Sequence, residues 1–280
     1  MARRVELHRH SQSGQRPTAN YTQVVITRAL SGKTVLLTGA SRGIGAATAT
    51  VLGAAGACLV AHCGENRAGA QEATRDVPPE RKMLVEVDFA VPGSGRELWE
   101  RAVAWRGRVD VVVLNAAVMP ETPIDADDAH WDATWEHVLQ VNLREPANLI
   151  REAVRHFREI GGGIIVTMSS WVAEQGSAIP QLTAYAASKA AIRAMTQTVA
   201  RNHAKDGVLA YVIAPGIVRT RMSEIAATTR GGEDAVKAIL PLGEMVPPVE
   251  VANLVAFTAS GLCRHLSGAT LDINGAAYVR

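Results

Sequence analysis

The sequence predicts an α/β protein of one domain, in which a parallel sheet of about seven strands carries helices on both faces. Two observations support this prediction. Short apolar stretches alternate with stretches of helical periodicity from residue 34 to residue 273, and this alternation is typical of successive strand–helix–strand units. Polar or glycine residues follow several of the apolar stretches, and ligands in such sheets bind beyond the carboxyl ends of the strands. We therefore expect one functional site at that edge.

The composition is that of an ordinary globular protein. The chain has 280 residues, 48% hydrophobic and 20% charged, which is enough for one sizeable core. Its net charge of +2 argues against nucleic acid or an anionic membrane as a partner. The three cysteines, Cys58, Cys63 and Cys263, lack the spacing of a metal site and are expected to be reduced thiols. We therefore expect no metal. No apolar run approaches the ~18 residues of a membrane span, and together with the reduced thiols this predicts a cytoplasmic protein.

The chain divides into an N-terminal extension and a main domain. Residues 1–29 are mixed and basic, a composition that predicts a flexible arm with at most a short strand at 23–27. The main domain is predicted to span residues 30–280. Its mixed, glycine-interrupted segment at about 217–245 is expected to form a mobile lid over the site.

The first predicted strand, residues 34–38, leads into a glycine-rich turn. The turn runs from Gly39 through Gly43 to Gly45 and opens an alanine-rich helix at 46–53. In this order, Gly39 permits a tight turn, Gly43 lets the backbone approach a pyrophosphate, and Gly45 lets the helix pack on the strand. Free N–H groups at the helix start then face the anion. We infer a dinucleotide-binding, Rossmann-like, doubly wound fold.

The second strand, residues 58–63, bears on the choice of dinucleotide. An acid at its end would bind the adenosine ribose 2′-hydroxyl and repel a 2′-phosphate, but the strand ends in Cys63. Arg42 in the glycine turn can neutralise a phosphate. NADP(H) is therefore preferred, while Glu65, two residues further on, leaves NAD(H) open. Two weaker candidates for the adenosine pocket are His62 and Arg67.

The remaining elements follow from the same two periodicities. Short apolar runs bounded by turns predict strands, and apolar residues three and four apart predict helices. The predicted strands are 83–87, 109–114, 164–168, 208–213 and 270–273, and the predicted helices are 95–105, 127–157, 185–203 and 249–259.

The stretch 164–195 holds the strongest candidate chemistry. A strand end with Ser169 and Ser170 is followed by a helix that carries Tyr185 and Lys189. Residues four apart on a helix share a face, so the phenol and the ammonium project into one space. A nearby cation favours the ionised phenol, which predicts a lowered tyrosine pKa and a general acid/base. An isolated pair of this kind would be incidental more often than not, but the preceding serine and the flanking alanines favour an active site.

Together, the GxxxGxG turn, Ser170 and the Tyr185–Lys189 pair resemble the short-chain dehydrogenase/reductase family, of the classical type and similar to its 3-oxoacyl-ACP reductase-like members. The resemblance covers about residues 30–278. It implies hydride transfer between a nicotinamide and a carbonyl or secondary alcohol, with Tyr185 as proton donor and Ser170 as hydrogen-bond partner of the substrate oxygen. It also implies that Lys189 lowers the pKa of Tyr185 and holds the ribose hydroxyls. Asn142 matches an asparagine that distorts its helix and anchors a proton-relay water.

The resemblance implies a set of cofactor contacts as well. Cys63 occupies the position where NAD-preferring relatives carry Asp, Asp88 matches an aspartate that contacts adenine, and the turn at Pro215 closes over the nicotinamide. The full set implied is Gly39, Ser41, Arg42, Gly43, Ile44, Gly45, Cys63, Asp88, Phe89, Asn115, Ala116, Tyr185, Lys189, Pro215, Gly216, Val218 and Thr220.

The segment after the fourth strand departs from the family pattern. Asn115 matches the second asparagine of the family's Asn-Asn-Ala-Gly motif, but Leu114 and Ala117 differ from it. We expect this departure to alter the hydrogen bonding that steadies the central strands, and to leave the catalytic residues unchanged.

The loop between Ser170 and Tyr185 also departs from the pattern. The two residues lie fifteen positions apart, two more than the common spacing, which indicates an insertion within 173–183 at the substrate mouth. Trp171 and Gln175 are candidate walls of the pocket. The substrate is expected to be a small carbonyl or alcohol whose identity the sequence does not specify. Three basic residues leave a phosphopantetheine carrier open: Arg193, Arg219 and Arg221.

Assembly and two alternative functions complete the expectations. The resemblance implies a homotetramer or homodimer built from the helices at 127–157 and 185–203. One alternative is an NAD-preferring alcohol dehydrogenase. The other is a catalytically silent NADP(H)-binding regulatory protein, because a fold does not fix a function. The complete catalytic set argues against the silent protein, since a binder has no physical need for all four residues.

Overall fold

The computed structural model describes residues 29–221, 223 and 232–279. Nearly all of the predicted extension at 1–29, including the candidate strand at 23–27, and part of the predicted lid at 217–245 lie outside the described residues. The strands are β1 Thr34–Leu37, β2 Cys58–Cys63, β3 Lys82–Glu86, β4 Val111–Leu114, β5 Gly163–Met168, β6 Val208–Pro215 and β7 Thr270–Ile273. The helices are α1 Gly43–Ala54, α2 Arg67–Ala73, α3 Ser94–Arg106, α4 Asp128–Leu139, α5 Glu145–Ile160, α6 Val172–Gln175, α7 Thr183–His203, α8 Glu233–Ala238 and α9 Pro248–Ser260.

The seven strands form one parallel sheet in the order β3-β2-β1-β4-β5-β6-β7. The order reverses direction at β1, so the crevice between β1 and β4 is the point where ligands bind in doubly wound folds. This architecture confirms the predicted fold class. It also brings the residues that follow β1, β4, β5 and β6 to one edge.

Two apolar cores cover the two faces of the sheet. Val35 and Leu37 of β1 belong to one core, and Leu36 between them belongs to the other, because successive side chains of a strand point to opposite faces. Helices α1 and α9 contribute to the first core, and α3, α5 and α7 to the second. Strands β1, β2 and β4 are buried along their whole length, as expected of a parallel sheet covered on both sides.

Two helices differ from their predicted bounds in ways that matter for the site. Helix α1 begins at Gly43, inside the glycine turn, rather than at residue 46. The predicted helix at 127–157 is divided into α4, a π-helical turn at Gln140–Arg144, and α5. Pro146, in the first turn of α5, has no N–H to donate to the carbonyl of Asn142 four residues earlier. The expected distortion of the helix at Asn142 is therefore confirmed, and it has a physical cause.

Candidate active site

Tyr185 and Lys189 lie side by side at the start of α7. The Lys189 ammonium is 5.6 Å from the centre of the Tyr185 ring, as their spacing predicts. Lys189 is 5% exposed, and its Nζ donates a hydrogen bond to the Met168 carbonyl at 2.9 Å. Ser169 Oγ donates to the Lys189 carbonyl, also at 2.9 Å. These two bonds fix α7 to the carboxyl end of β5.

Ser170 meets Tyr185 across the longer loop. Its hydroxyl is hydrogen-bonded to the Tyr185 phenol, and its Oγ also accepts a long bond from the Val172 N–H at 3.4 Å. Ser170 is fixed by the strand and Tyr185 by the helix, so the insertion between them does not separate the two groups. The three residues Ser170, Tyr185 and Lys189 form one polar cluster at the carboxyl edge of the sheet.

The charge state of this cluster differs from the sequence expectation. Burial raises the pKa of Tyr185 to about 12, although the hydrogen bond with Ser170 acts in the opposite direction. Burial likewise lowers the pKa of Lys189 to about 8. This direction is opposite to the expectation that Lys189 lowers the pKa of Tyr185, because burial of the phenol has the largest effect in the chain by itself. At neutral pH Tyr185 holds its proton and can donate it.

Asn142 connects the π-helical turn to the catalytic helix. Its side chain donates to the Val118 carbonyl and accepts from the Val118 N–H, both at 2.8 Å. Nδ2 also donates to Ser188 Oγ at 3.1 Å, and Ser188 in turn donates to the Tyr185 carbonyl at 2.7 Å. Asn142 thus ties the segment after β4 to the first turn of α7. The role of its carbonyl as a water anchor stays a prediction.

The glycine turn is shaped to receive an anion. A Cβ on Gly45 would overlap the Gly39 carbonyl oxygen, and one on Gly39 would lie 2.9 Å from the Cα of Ala116. Gly39 and Gly43 have φ of +70° and +52°, which side chains disfavour. Helix α1 begins at this turn without a hydrogen bond from the side chain of its N-cap, Arg42. A pyrophosphate therefore fits the residues present, because the helix start offers free N–H groups and little steric hindrance.

The polar contacts around Asn115 show how the ends of the central strands are held in a chain with the altered asparagine motif. Thr38 Oγ1 accepts from the N–H groups of Asn115 and Ala116, at 2.9 and 3.0 Å. Asn115 Nδ2 donates to the carbonyls of Thr38 and Gly39, each at 3.1 Å. The ends of β1 and β4 are therefore hydrogen-bonded together without the first asparagine of the motif. The side chain of Asn115 braces the glycine turn.

Two predicted cofactor residues present no side chain to a ligand. Cys63 is fully buried in β2, so it affects the dinucleotide only because no acid stands there. Phe89 is 4% exposed and stacks on His62, with ring centroids 4.5 Å apart. Both side chains point into the core, as residues of a covered parallel strand and the turn after it do, so any contact of these two residues with a cofactor would be through the backbone and stays a prediction. Asp88 is exposed, and its Oδ1 accepts from the Ala90 N–H.

The predicted nicotinamide side of the site is built from the segment after β6. A Cβ on Gly216 would lie 2.7 Å from that of Asn274. Val218 is buried and pairs with Val246 in an isolated bridge. Thr220 lies directly over the glycine turn, since a Cβ on Gly43 would be 2.9 Å from its Cγ2. The structure thus brings the two glycine-bearing segments together across the site.

The segments at the substrate mouth are held at both ends. The Trp171 N–H donates to the Pro215 carbonyl at 3.1 Å, and the Thr122 N–H donates to the Gln181 carbonyl at 2.6 Å. Between them, Glu174 of α6 forms an ion pair with Arg193 of α7. Arg193 is thereby engaged within the protein, which weakens its candidacy as a contact for a carrier. Arg219 and Arg221 stay open.

Four residues near the site were missed or given another role by sequence reasoning. Thr38 and His62 hold the glycine turn. Asn66 caps α2 and donates to the Ser41 carbonyl at 3.4 Å. The fully buried Glu145 accepts from backbone N–H groups at the start of α3. A histidine or a glutamate inside a buried pattern is a usable signal, because such groups need partners. The backbone groups that His62 and Glu145 bind lie 23 to 52 positions away, so the sequence does not identify them.

Metal and membrane sites were also considered. Among the described residues, no group of three or more potential ligands could hold a metal ion. No helix in the described part of the chain is long and apolar enough to cross a membrane.

A doubly wound sheet with a glycine turn after β1 and a Ser–Tyr–Lys cluster at the same edge defines a dinucleotide-dependent oxidoreductase. The comparison with family models agrees: residues 39–276 match a family described as enoyl-(acyl carrier protein) reductase. The chain belongs to the short-chain dehydrogenase/reductase family. It is an oxidoreductase that acts on CH–OH groups with NAD(P) as acceptor.

Relatives and a solved structure match over nearly their full length. The chain is 32% identical over 250 residues to cis-4-hydroxycyclohexanecarboxylate dehydrogenase of Sinomonas cyclohexanicum, covering 88% of this chain and 97% of the relative. It is 31% identical over 249 residues to the 3-oxoacyl-[acyl-carrier-protein] reductase of Escherichia coli, covering 89% and 98%. The crystal structure of a dehydrogenase/reductase from Sinorhizobium meliloti matches with a TM-score of 0.79 and 29% identity, covering 92% of this chain and all of that one.

Proposed function

We propose that the protein is an NADP(H)-dependent oxidoreductase that interconverts a carbonyl and a secondary alcohol, with Tyr185 as general acid/base. The observation that carries the proposal is the cluster of Ser170, Tyr185 and Lys189 beside the glycine turn. Its geometry places one hydroxyl donor, one phenol and one ammonium at the edge where such folds bind ligands.

Each residue of the cluster has a distinct part. When bound, the nicotinamide supplies or accepts the hydride. Tyr185, protonated at neutral pH, donates its proton to the developing alkoxide, and Ser170 orients the substrate oxygen toward the phenol. Lys189 holds the ribose hydroxyls and stabilises negative charge on Tyr185 during the transfer. Asn142 positions the start of α7 and anchors the water that returns a proton to Lys189.

The preference for NADP(H) rests on the residues at the end of β2. Residue 63 is a buried cysteine. Because no carboxylate stands at that position, nothing there repels a 2′-phosphate. Arg42 is exposed at the N-cap of α1, and Arg67 is exposed at the first position of α2. Both arginines are therefore available to bind a 2′-phosphate. Glu65, also exposed, is the feature that keeps NAD(H) as the second candidate.

We also propose the domain organisation, the assembly and the remaining cofactor contacts, on the basis of the sequence pattern and the family. Residues 30–280 form the catalytic domain, residues 217–245 form the substrate lid, and the helices at 127–157 and 185–203 assemble a homotetramer or homodimer in the cytoplasm. The remaining cofactor contacts are the glycine-turn residues Ser41 and Ile44, then Asp88 and Ala116, and on the nicotinamide side the segment from Pro215 to Thr220. Relatives that act on a ring alcohol and on a 3-oxoacyl group define the first substrates to test.

The proposal is tested by a calorimetric titration with NADPH and NADH, followed by a panel of cyclic ketones, their alcohols and 3-oxoacyl thioesters. Tyr185→Phe should bind NADPH like the wild type while its turnover falls by about 10²- to 10⁴-fold, the usual contribution of a general acid. Tyr211→Phe is the matched control, because Tyr211 is a buried tyrosine whose hydroxyl donates to the Cys263 carbonyl outside the site. Near-wild-type turnover of Tyr185→Phe on a confirmed substrate would contradict the proposal. Tight binding without turnover on the whole panel would favour the alternative of a catalytically silent NADP(H)-binding protein.

A further inference from the structure

His62 lies where the ends of three strands meet. Its side chain is 2% exposed within β2. Nδ1 is 3.2 Å from the backbone nitrogen of Gly39, just after β1, and Nε2 is 2.8 Å from the carbonyl oxygen of Val87, just after β3. The ring also stacks on Phe89 with an angle of 16° between the planes. One side chain therefore links the glycine turn to the predicted adenosine side of the site.

The two partners determine the protonation state of the ring. The Gly39 N–H can only donate, so Nδ1 must offer a lone pair. The Val87 carbonyl can only accept, so Nε2 must carry the proton. A neutral ring with the proton on Nε2 satisfies both partners, and a protonated ring does not. Burial lowers the pKa of His62 to about 4, although the Val87 bond and the charge of Asp88 act against it, so the neutral ring persists at neutral pH.

We propose that His62 is a positioning residue for the dinucleotide site: it sets the glycine turn by accepting the Gly39 N–H while it is anchored to Val87. The backbone carbonyl of His62 accepts from the next N–H of the turn, that of Ala40, at 2.8 Å. Two successive peptide units of the turn are therefore held by one residue. The inference rests on the proposed function in one respect, namely that this turn receives the dinucleotide.

Core packing does not account for this arrangement. Burying an imidazole is unfavourable unless both nitrogens find partners, and an apolar side chain fills the same core without that requirement. Val60, two residues earlier in β2 and on the same face of the sheet, is fully buried in the core that contains Phe89. The polar ring at position 62 differs from Val60 in its two hydrogen bonds, one to the Val87 carbonyl and one that holds the glycine turn.

Two substitutions separate the two hydrogen bonds of the ring. In His62→Asn, the amide oxygen can take the place of Nδ1 and accept from Gly39. In His62→Gln, the amide nitrogen can take the place of Nε2, so that only the Val87 bond is kept. Val60→Ala is the matched control, because it weakens the same core without removing a hydrogen bond.

Calorimetric titration of each full-length variant with NADPH and with NADH gives the test. We expect His62→Gln to raise the Kd for both dinucleotides by about ten-fold and by the same factor, because a buried N–H of the turn loses its acceptor. We expect His62→Asn to stay within about three-fold of the wild type, and Val60→Ala to lower the thermal midpoint without changing either Kd.

The outcomes separate this inference from the proposed function. Wild-type Kd values in His62→Gln, or an equal loss of affinity in Val60→Ala, would refute the positioning role and leave the proposed function intact. If His62→Gln does not fold by circular dichroism, His62→Asn decides: a retained Kd supports the role, and a ten-fold loss overturns it. A wild-type protein that binds neither dinucleotide would refute both.

Discussion

Replacing Glu145 by Gln should destabilise the protein strongly, although the change removes only one charge. Glu145 is fully buried at the start of α5. Its Oε1 accepts from the Gly93 N–H at 2.9 Å and from Gln140, and its Oε2 accepts from the Gly95 N–H at 2.7 Å and from Asn148. Burial alone would raise the pKa of this carboxyl, but the four donors together lower it. The carboxylate thus binds the N-terminus of α3 to the π-helical turn.

The expected cost follows from the number of acceptors. A Gln side chain turns one accepting oxygen into a donating NH₂ group, which must face either the Gly93 or the Gly95 N–H. The amides of Gln140 and Asn148 can rotate in response, but a backbone N–H cannot. One of the two buried N–H groups therefore loses its acceptor. The other then donates to a neutral amide oxygen instead of a carboxylate. Together these changes lower the free energy of unfolding by about 3 kcal/mol. For a protein of 280 residues we expect a fall of about 5 °C in the thermal midpoint.

Thermal unfolding followed by circular dichroism at neutral pH measures this effect. Glu159→Gln is the matched control, because Glu159 lies on the same helix with its side chain exposed, and we expect a change of about 1 °C or less. The reasoning would be refuted if Glu145→Gln unfolded within about 2 °C of that control. Such a result would mean that the four hydrogen bonds contribute little beyond what water supplies.

Three further predictions concern the dinucleotide turn. Arg42→Ala should weaken NADPH binding by about ten-fold or more while leaving NADH within about two-fold, since a charged contact to a 2′-phosphate is lost; equal losses in calorimetry would exclude that contact. Lowering the pH from about 6.5 to about 4 should remove up to ~3 kcal/mol of stability in the wild type, because the unfolded chain protonates His62 before the folded one does; urea titrations of His62→Asn should lack that part of the loss. Gly45→Ala should abolish dinucleotide binding, since the added Cβ would overlap the Gly39 carbonyl; a retained Kd would show that the turn can relax.

The sheet and the Ser170–Tyr185–Lys189 cluster were predictable from sequence because both depend on local spacing. Apolar runs determine the strands. A spacing of four positions on a helix brings Tyr185 and Lys189 together, independently of the rest of the fold. The shifted pKa of Tyr185 was not predictable, since it depends on how completely the surrounding chain removes water from the phenol. The buried orientation of Cys63 depends likewise on β3, which pairs with β2 along its length and lies 19 residues further on in the chain at Lys82.

The partners of Asn115 and His62 were unpredictable for a related reason. Asn115 binds the end of β1 across 76 and 77 positions, and His62 binds Gly39 and Val87 across 23 and 25. A sequence shows that a buried polar group needs a partner, but the register of neighbouring strands decides which backbone group is within reach. The effect of the altered asparagine motif was equally unpredictable, because the bonds of Thr38 to the N–H groups of Asn115 and Ala116 span 77 and 78 positions.

In the proposed mechanism, the longer loop between Ser170 and Tyr185 affects substrate selection without affecting the chemistry. Ser170 lies just after β5. Tyr185 is fixed to the same strand end through Lys189 of its own helix, which donates to the Met168 carbonyl and accepts from Ser169 Oγ. None of these bonds involves residues 171–182, whose ends are pinned separately at Pro215 and at Thr122. Extra residues in that loop therefore change the walls of the pocket without moving the reacting groups. Variation there should alter KM for different substrates far more than kcat for any one of them.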